Sequence, residues 1–174
     1  MQQNIIASGF RSDGCFVEIF INELFNIDLS GYSFPEFVDI DNDDDFDLLV
    51  GNMSGTIYYY ENIGTKYEFD FNLVSDYFHE INVNYRSAVK IFDLDNDNDF
   101  DLLIGSGSDN IILYENIGDS SYPEFIEDQF FDIPFLGLNT SPEIFHHNNM
   151  KRLISGTSTG GMHCVIFDNY IQGD

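Results

Sequence analysis

Eleven of the chain's 31 acidic residues fall in two short segments, and their spacing is the feature of the sequence most able to do chemistry. The first segment places Asp39, Asp41, Asp43, Asp45 and Asp47 at alternate positions, and the second places Asp93, Asp95, Asp97, Asp99 and Asp101 in the same way. Alternating carboxylates in a tightly turned loop can point inward together. Hard cations such as Ca²⁺ take six to eight oxygen ligands at about 2.3–2.6 Å, which such a loop can offer. Left empty, the loop repels itself: two carboxylates about 4 Å apart cost roughly 4 kcal/mol at an effective dielectric near 20. Neither segment contains a Lys or Arg to relieve this. An all-oxygen set disfavours zinc and copper, which prefer His and Cys. The plain alternative is a solvated acidic turn. An EF-hand fails at its twelfth position, where the required Glu is Val50 in one segment and Ile104 in the other.

The elements that must position these loops follow from an internal repeat. Asp39 to Gly51 recurs as Asp93 to Gly105, and Tyr60-Glu61-Asn62-Ile63-Gly64 recurs at the same offset as Tyr114-Glu115-Asn116-Ile117-Gly118. Within one unit, turn signals divide four short strands: 35–39, 47–51, 56–62 and one within 69–77. The acidic loop joins the first strand to the second. Helical periodicity is absent, and four strands per unit is the blade of a β-propeller. Degenerate copies flank the clear ones. The expected organisation is an all-β, propeller-like domain with a partial blade at 4–33, blades at 34–85 and 86–138, and a partial blade at 139–174. In the last copy, matching Gly156 to Gly51 puts Ile144, His146, Asn148 and Arg152 where the four principal acids stood. Arg152 is then expected to supply locally the charge that a cation supplies elsewhere.

The loop pattern resembles the Asp-x-Asp-x-Asp-Gly-x-x-Asp calcium loop of FG-GAP and VCBS repeats, the β-propeller repeats of integrin α-subunits. The segments after it, Asp47 to Gly64, are also similar to that family. The resemblance covers about residues 34–64 and 88–118. It implies two Ca²⁺ per chain, held by the side chains of Asp39, Asp41, Asp43 and Asp47, and of Asp93, Asp95, Asp97 and Asp101. Asp45 and Asp99 would contribute their backbone carbonyls. The family's glycine at position six is Asp44 here and Asn98 in the second loop. Both are residues that tolerate the positive φ this position favours.

Composition narrows the function. The net charge of -25 repels nucleic-acid phosphates and anionic membrane surfaces alike. No apolar run reaches the length of a membrane span. The first residues, Met1 to Ala7, lack the basic and apolar regions of a secretory signal, which is compatible with a removed signal, a portion of a longer chain, or a cytosolic protein. Cys15 and Cys164 are too few for a disulfide scaffold, although one bridge between them would link the flanking copies. Asn52-Met53-Ser54 and Asn139-Thr140-Ser141 match the glycosylation triplet. Tyr58, Tyr59 and Tyr60 are expected in the core between blades, and His146 and His147 at the surface. No nucleophile–base constellation or phosphate-cradling loop is present. The expectation is therefore a non-catalytic, calcium-binding protein of the extracellular space or cell surface, acting in interaction or assembly with itself, another protein or a glycan. A carbohydrate-binding lectin and the accessory propeller of a polysaccharide-degrading enzyme are the alternatives. A shallow pocket lined by tyrosines and amides would favour the lectin.

Overall fold

The computed structural model describes Leu29 and residues 31–108, 110–129, 131, 133–148 and 150–166, and residues 4–10, 16–21 and 167 by their backbone. Among the described residues, every regular element apart from a 3₁₀ turn at Phe78–Glu80 is a strand. A hairpin of β1 (Asn4–Phe10) and β2 (Phe16–Ile21) comes first. Four strands, β3 (Ser33–Val38), β4 (Asp47–Asn52), β5 (Ile57–Asn62) and β6 (Phe71–Ser75), form an antiparallel sheet in sequential order. The pattern repeats in β7 (Ser87–Phe92), β8 (Asp101–Ser106), β9 (Ile112–Asn116) and β10 (Phe125–Glu127). A third sheet holds β11 (Ser141–His147), β12 (Met150–Gly156) and β13 (Met162–Phe167). The all-β expectation and the four-strand unit are therefore present, and the sheets are open.

Strand pairing identifies the equivalent positions. Glu36 faces Leu49, Lys90 faces Leu103, and Glu143 faces Ile154. It also corrects the third copy's alignment. Phe145 faces Arg152 as Val38 faces Asp47, so His146, not Ile144, takes the place of Asp39. The connection is shorter there, and β11 and β12 run to a tight hairpin at His147 and Met150. Such a hairpin has no room for the acidic loop.

Successive sheets stack through their first strands: β7 lies against β3 and β4, and β11 against β7 and β8. The contact is close enough to require glycine. A Cβ on Gly51 would lie 1.8 Å from the Ser87 carbonyl oxygen, and one on Gly105 would lie 2.4 Å from that of Thr140. Each crossing is also stapled by a hydroxyl from the following repeat. Ser87 Oγ accepts from the Asn52 N–H (2.9 Å) and donates to the Thr56 carbonyl (2.6 Å). Thr140 Oγ1 accepts from the Ser106 N–H at 3.0 Å. Ser87, Ser106 and Thr140 are all buried, so these bonds satisfy polar groups that water cannot reach.

Two apolar layers fill the space between sheets. Val38, Leu49 and Ile57 meet Leu102, Ile104 and Phe125 in the first. Leu103 and Leu113 meet Ile144 and Leu153 in the second. The middle sheet is thus buried on both faces, which is why β8 reads as a continuous apolar run rather than an alternation. The tyrosine run divides across its strand: Tyr60 is buried, while Tyr58 and Tyr59 are half-buried. A charge chain ties the three first strands together, with Lys90 Nζ 2.9 Å from both Glu36 Oε1 and Glu143 Oε1.

The glycine crossings supply an internal control. A Cβ on Gly156, the equivalent residue of the third sheet, meets nothing within 4 Å. Gly105→Ala should cost on the order of 3 kcal/mol through overpacking. Gly156→Ala should stay within about 0.5 kcal/mol of the parent, as open surface changes do. Urea unfolding in calcium measures both.

Candidate metal centre

Residues 39–46 link β3 to β4 and residues 93–100 link β7 to β8, so both acidic loops lie at the same end of their sheets. Each folds around its own carboxylates. Asp39 Oδ1 and Oδ2 accept from the N–H groups of Asp43 (3.0 Å) and Asp44 (3.1 Å), and Asp43 Oδ1 accepts from Asp45 N–H (3.0 Å). In the second loop Asp93 Oδ1 accepts from Asn96 N–H (2.6 Å) and Asp97 Oδ1 from Asp99 N–H (3.0 Å). These are the local bonds by which Asp mimics a backbone turn. The chain reverses through left-handed residues: Asp44 (φ 74°) and Asn98 (φ 78°) at position six, as expected, and also Asn42 (φ 61°) and Asn96 (φ 72°) at position four.

The outcome is a convergence of three acids per loop. Oxygens of Asp39, Asp41 and Asp43 lie within 4.8 Å of one another, and so do those of Asp93, Asp95 and Asp97. The ninth position does something different. Asp47 and Asp101 are 2% and 4% exposed and act as backbone clamps. Asp101 Oδ1 accepts from Asn116 N–H (3.0 Å) and its Oδ2 from Leu94 N–H (2.9 Å), pinning β8 to the end of β9 and the loop's entry. Asp47 accepts from Asn62 N–H (2.8 Å) and from the Tyr59 hydroxyl (3.3 Å). The seventh position also differs from a pure carbonyl donor. Asp99 is 7% exposed, and its Oδ1 is buried without a hydrogen-bond partner, as are Oδ1 of Asp41 and of Asp45. Unpartnered buried carboxylate oxygens beside converging acids suit a hard cation.

The asparagine of the repeated Tyr-Glu-Asn-Ile-Gly segment holds the next turn. Asn62 Oδ1 accepts from Gly64 and Asp70 N–H groups at 3.1 and 3.0 Å, and Asn116 Oδ1 accepts from Gly118 and Glu124 at 3.0 and 2.9 Å. The glycosylation triplet at Asn52 is internal: Asn52 is buried and its Nδ2 donates to Thr56 Oγ1. His146 and His147 are exposed, as expected. Cys164 is exposed on β13, and Cys15 lies outside the described residues.

A cation does approach the second loop, but not the expected one. Lys151 Nζ, from the third sheet, donates to the carbonyls of Asp93 and Leu94 (2.6 Å each) and stands 3.9 Å from Asp93 Oδ1. Arg152 is instead partly buried, with its Nε unpartnered. The charge therefore acts on the preceding repeat rather than locally. No local pattern marks Lys151, because the contact spans two repeats.

Burial pushes the carboxyls of Asp47 and Asp101 up to about 6, against their backbone hydrogen bonds. Burial, then the Asp97 and Asp101 charges, pushes Asp99 up to about 7. A carboxyl whose folded-state pKa is raised stabilises the fold below its unfolded value, and that contribution is lost as pH rises through the folded value. Metal-free protein should therefore melt highest near pH 4 and lose stability up to about pH 7. Melting temperatures across pH in a chelator measure this, and Asp99→Asn should flatten the slope.

Compared with family models, curated proteins and solved structures, the chain matches none.

Proposed function

We propose that each acidic loop binds one Ca²⁺, two per chain, and that the three sheets are consecutive blades of a propeller-like array. The observation that carries this reading is the convergence of three carboxylates per loop together with buried, unpartnered oxygens on Asp41, Asp45 and Asp99. Asp39, Asp41 and Asp43 would hold one ion, and Asp93, Asp95 and Asp97 the other. The side chains of Asp45 and Asp99 lie beside these triads, and Asp47 and Asp101 brace them. A bound cation removes the mutual repulsion of each loop and fixes the first strand to the second. The resemblance to FG-GAP and VCBS repeats points the same way. So does the placement of each first strand against that of the preceding sheet, as in blades around an axis.

The role is interaction or assembly outside the cell, without catalysis. Supporting it is the outward face of the third sheet. Leu49 and Leu103 are covered by the following repeat, whereas their equivalent Ile154 is only half-buried, and Phe145, Met162 and Ile166 are exposed on that face. A second copy of the chain or another protein fits there.

Calorimetric titration of chelated protein with Ca²⁺ should give two sites of unequal affinity. The Lys151 ammonium beside Asp93 opposes a second cation, so the second loop should be the weaker. Lys151→Met should tighten it by about tenfold, since each 1.4 kcal/mol is a factor of ten, and Asp43→Asn should remove the tighter site. Absence of binding at millimolar Ca²⁺ would overturn the calcium reading. In sedimentation, the calcium-loaded protein should show species heavier than one chain at micromolar concentration, and Phe145→Glu should abolish them. A strictly monomeric protein across that range rules out self-assembly.

A further inference from the structure

At the end of the sheets opposite the acidic loops, an open cavity of about 540 Å³ is bordered by residues of all three repeats. Six-residue strands separate the two ends by about 20 Å, so this is a second locus. Its construction follows the repeat. Phe34, Ala88 and Ser141 face the three equivalent glycines Gly51, Gly105 and Gly156. Two residues ahead of each stand Tyr32, Arg86 and Asn139, and all three line the cavity. One backbone position has thus been given an aromatic ring, a cation and an amide. Arg86 and Asn139 both hold φ at 54°, a left-handed conformation that costs about 1 kcal/mol or more for a non-glycine residue and gathers at binding sites.

The chemistry of the wall is selective. Among the described residues, no acid and no aliphatic side chain lines it. Arg86 lies with its guanidinium 4.6 Å over the Phe34 ring, at the wall of the cavity. Among the described residues its guanidinium has no carboxylate partner, in contrast to Lys90 and Lys151. Tyr85 packs over Gly107, where a Cβ would lie 2.2 Å from the ring, and so is held in place. Ser141 and Thr157 add hydroxyls beside the Asn139 amide.

We propose that this cavity binds a saccharide bearing a carboxylate, such as a uronic acid unit. A planar guanidinium fork matches a carboxylate bidentately. Tyrosine faces accept the apolar face of a sugar ring, and amide and hydroxyl groups answer its hydroxyls. An aliphatic peptide anchor would find nothing to bury against. One fork answers one carboxylate of the ligand, in a wall where no acid among the described residues opposes it.

The test is titration of the calcium-loaded full chain with digalacturonate, followed by calorimetry and by NMR of the tyrosine side chains. Saturable binding with shifts at Tyr32 and Tyr85 is expected. The uncharged methyl ester should bind at least tenfold more weakly. Arg86→Gln should weaken digalacturonate binding at least tenfold and abolish the preference over the ester, and Tyr32→Ala should weaken both ligands at an unchanged melting temperature. Lys66→Gln, which removes an exposed cation outside the cavity, should leave binding intact, and an equal loss there would assign the Arg86 effect to net charge and overturn the proposal. The proposal is overturned by absence of saturable binding, by equal binding of acid and ester, by an Arg86→Gln variant that binds as the parent does, by equal competition from inorganic sulfate, or by tighter binding of an acidic tetrapeptide. None of these outcomes depends on whether the loops bind calcium.

Discussion

The backbone-to-backbone crossing of one repeat over the glycine of the one before decides the rest of this structure. At Gly51 and Gly105 a side chain as small as a methyl would strike the carbonyl of Ser87 or Thr140. That approach brings the hydroxyls of Ser87 and Thr140 within reach of the backbone they staple. It also sets the spacing at which Leu49 and Leu102, or Leu103 and Leu153, fill the space between sheets. Close-packed interiors tolerate little slack, so one contact repeated twice fixes the stacking of three sheets.

Charge is placed on that frame with economy. The chain has 6 Lys and Arg against 31 acids. Lys90 spans the three first strands through Glu36 and Glu143, and Lys151 caps the second acidic loop. Arg86 is left facing a cavity that no acid among the described residues lines. The acidic loops carry the opposite logic: carboxylates held together by turn geometry, with desolvation and mutual repulsion raising the pKa of Asp41, Asp95 and Asp99. A cation held by these loops would couple ligand binding to fold stability through the same few groups, since a ligand that binds only the folded state stabilises it.

Within the site, legibility depended on how local each interaction was. The alternating acids belong to one turn and their spacing alone revealed them, while the resemblance to FG-GAP and VCBS loops pointed to the left-handed residues at Asp44 and Asn98. Asp47 and Asp101 were legible as acids but not as clamps, because their partners Asn62 and Asn116 sit fifteen residues away across two strands. Arg152 was credited with a role that Lys151 performs for a different repeat, because Lys151 reaches back 58 residues to Asp93 and 57 to Leu94, a contact that no spacing within the third copy marks. The shorter hairpin between β11 and β12 moved His146, rather than Ile144, into the place of Asp39.

By itself, the sequence determined the strands, their grouping into repeats and the acidic loops between first and second strands. Apolar alternation, turn residues and repeated spacing are short-range signals that act within a few residues. Tertiary structure alone decided which face of each sheet is covered, why Gly51 and Gly105 must be glycine while Gly156 stands in open space, and how Tyr32, Arg86 and Asn139 come to share one cavity. Those outcomes depend on how one repeat is rotated onto the next. That rotation is set by summed packing across interfaces of residues far apart in the chain, which no local pattern encodes.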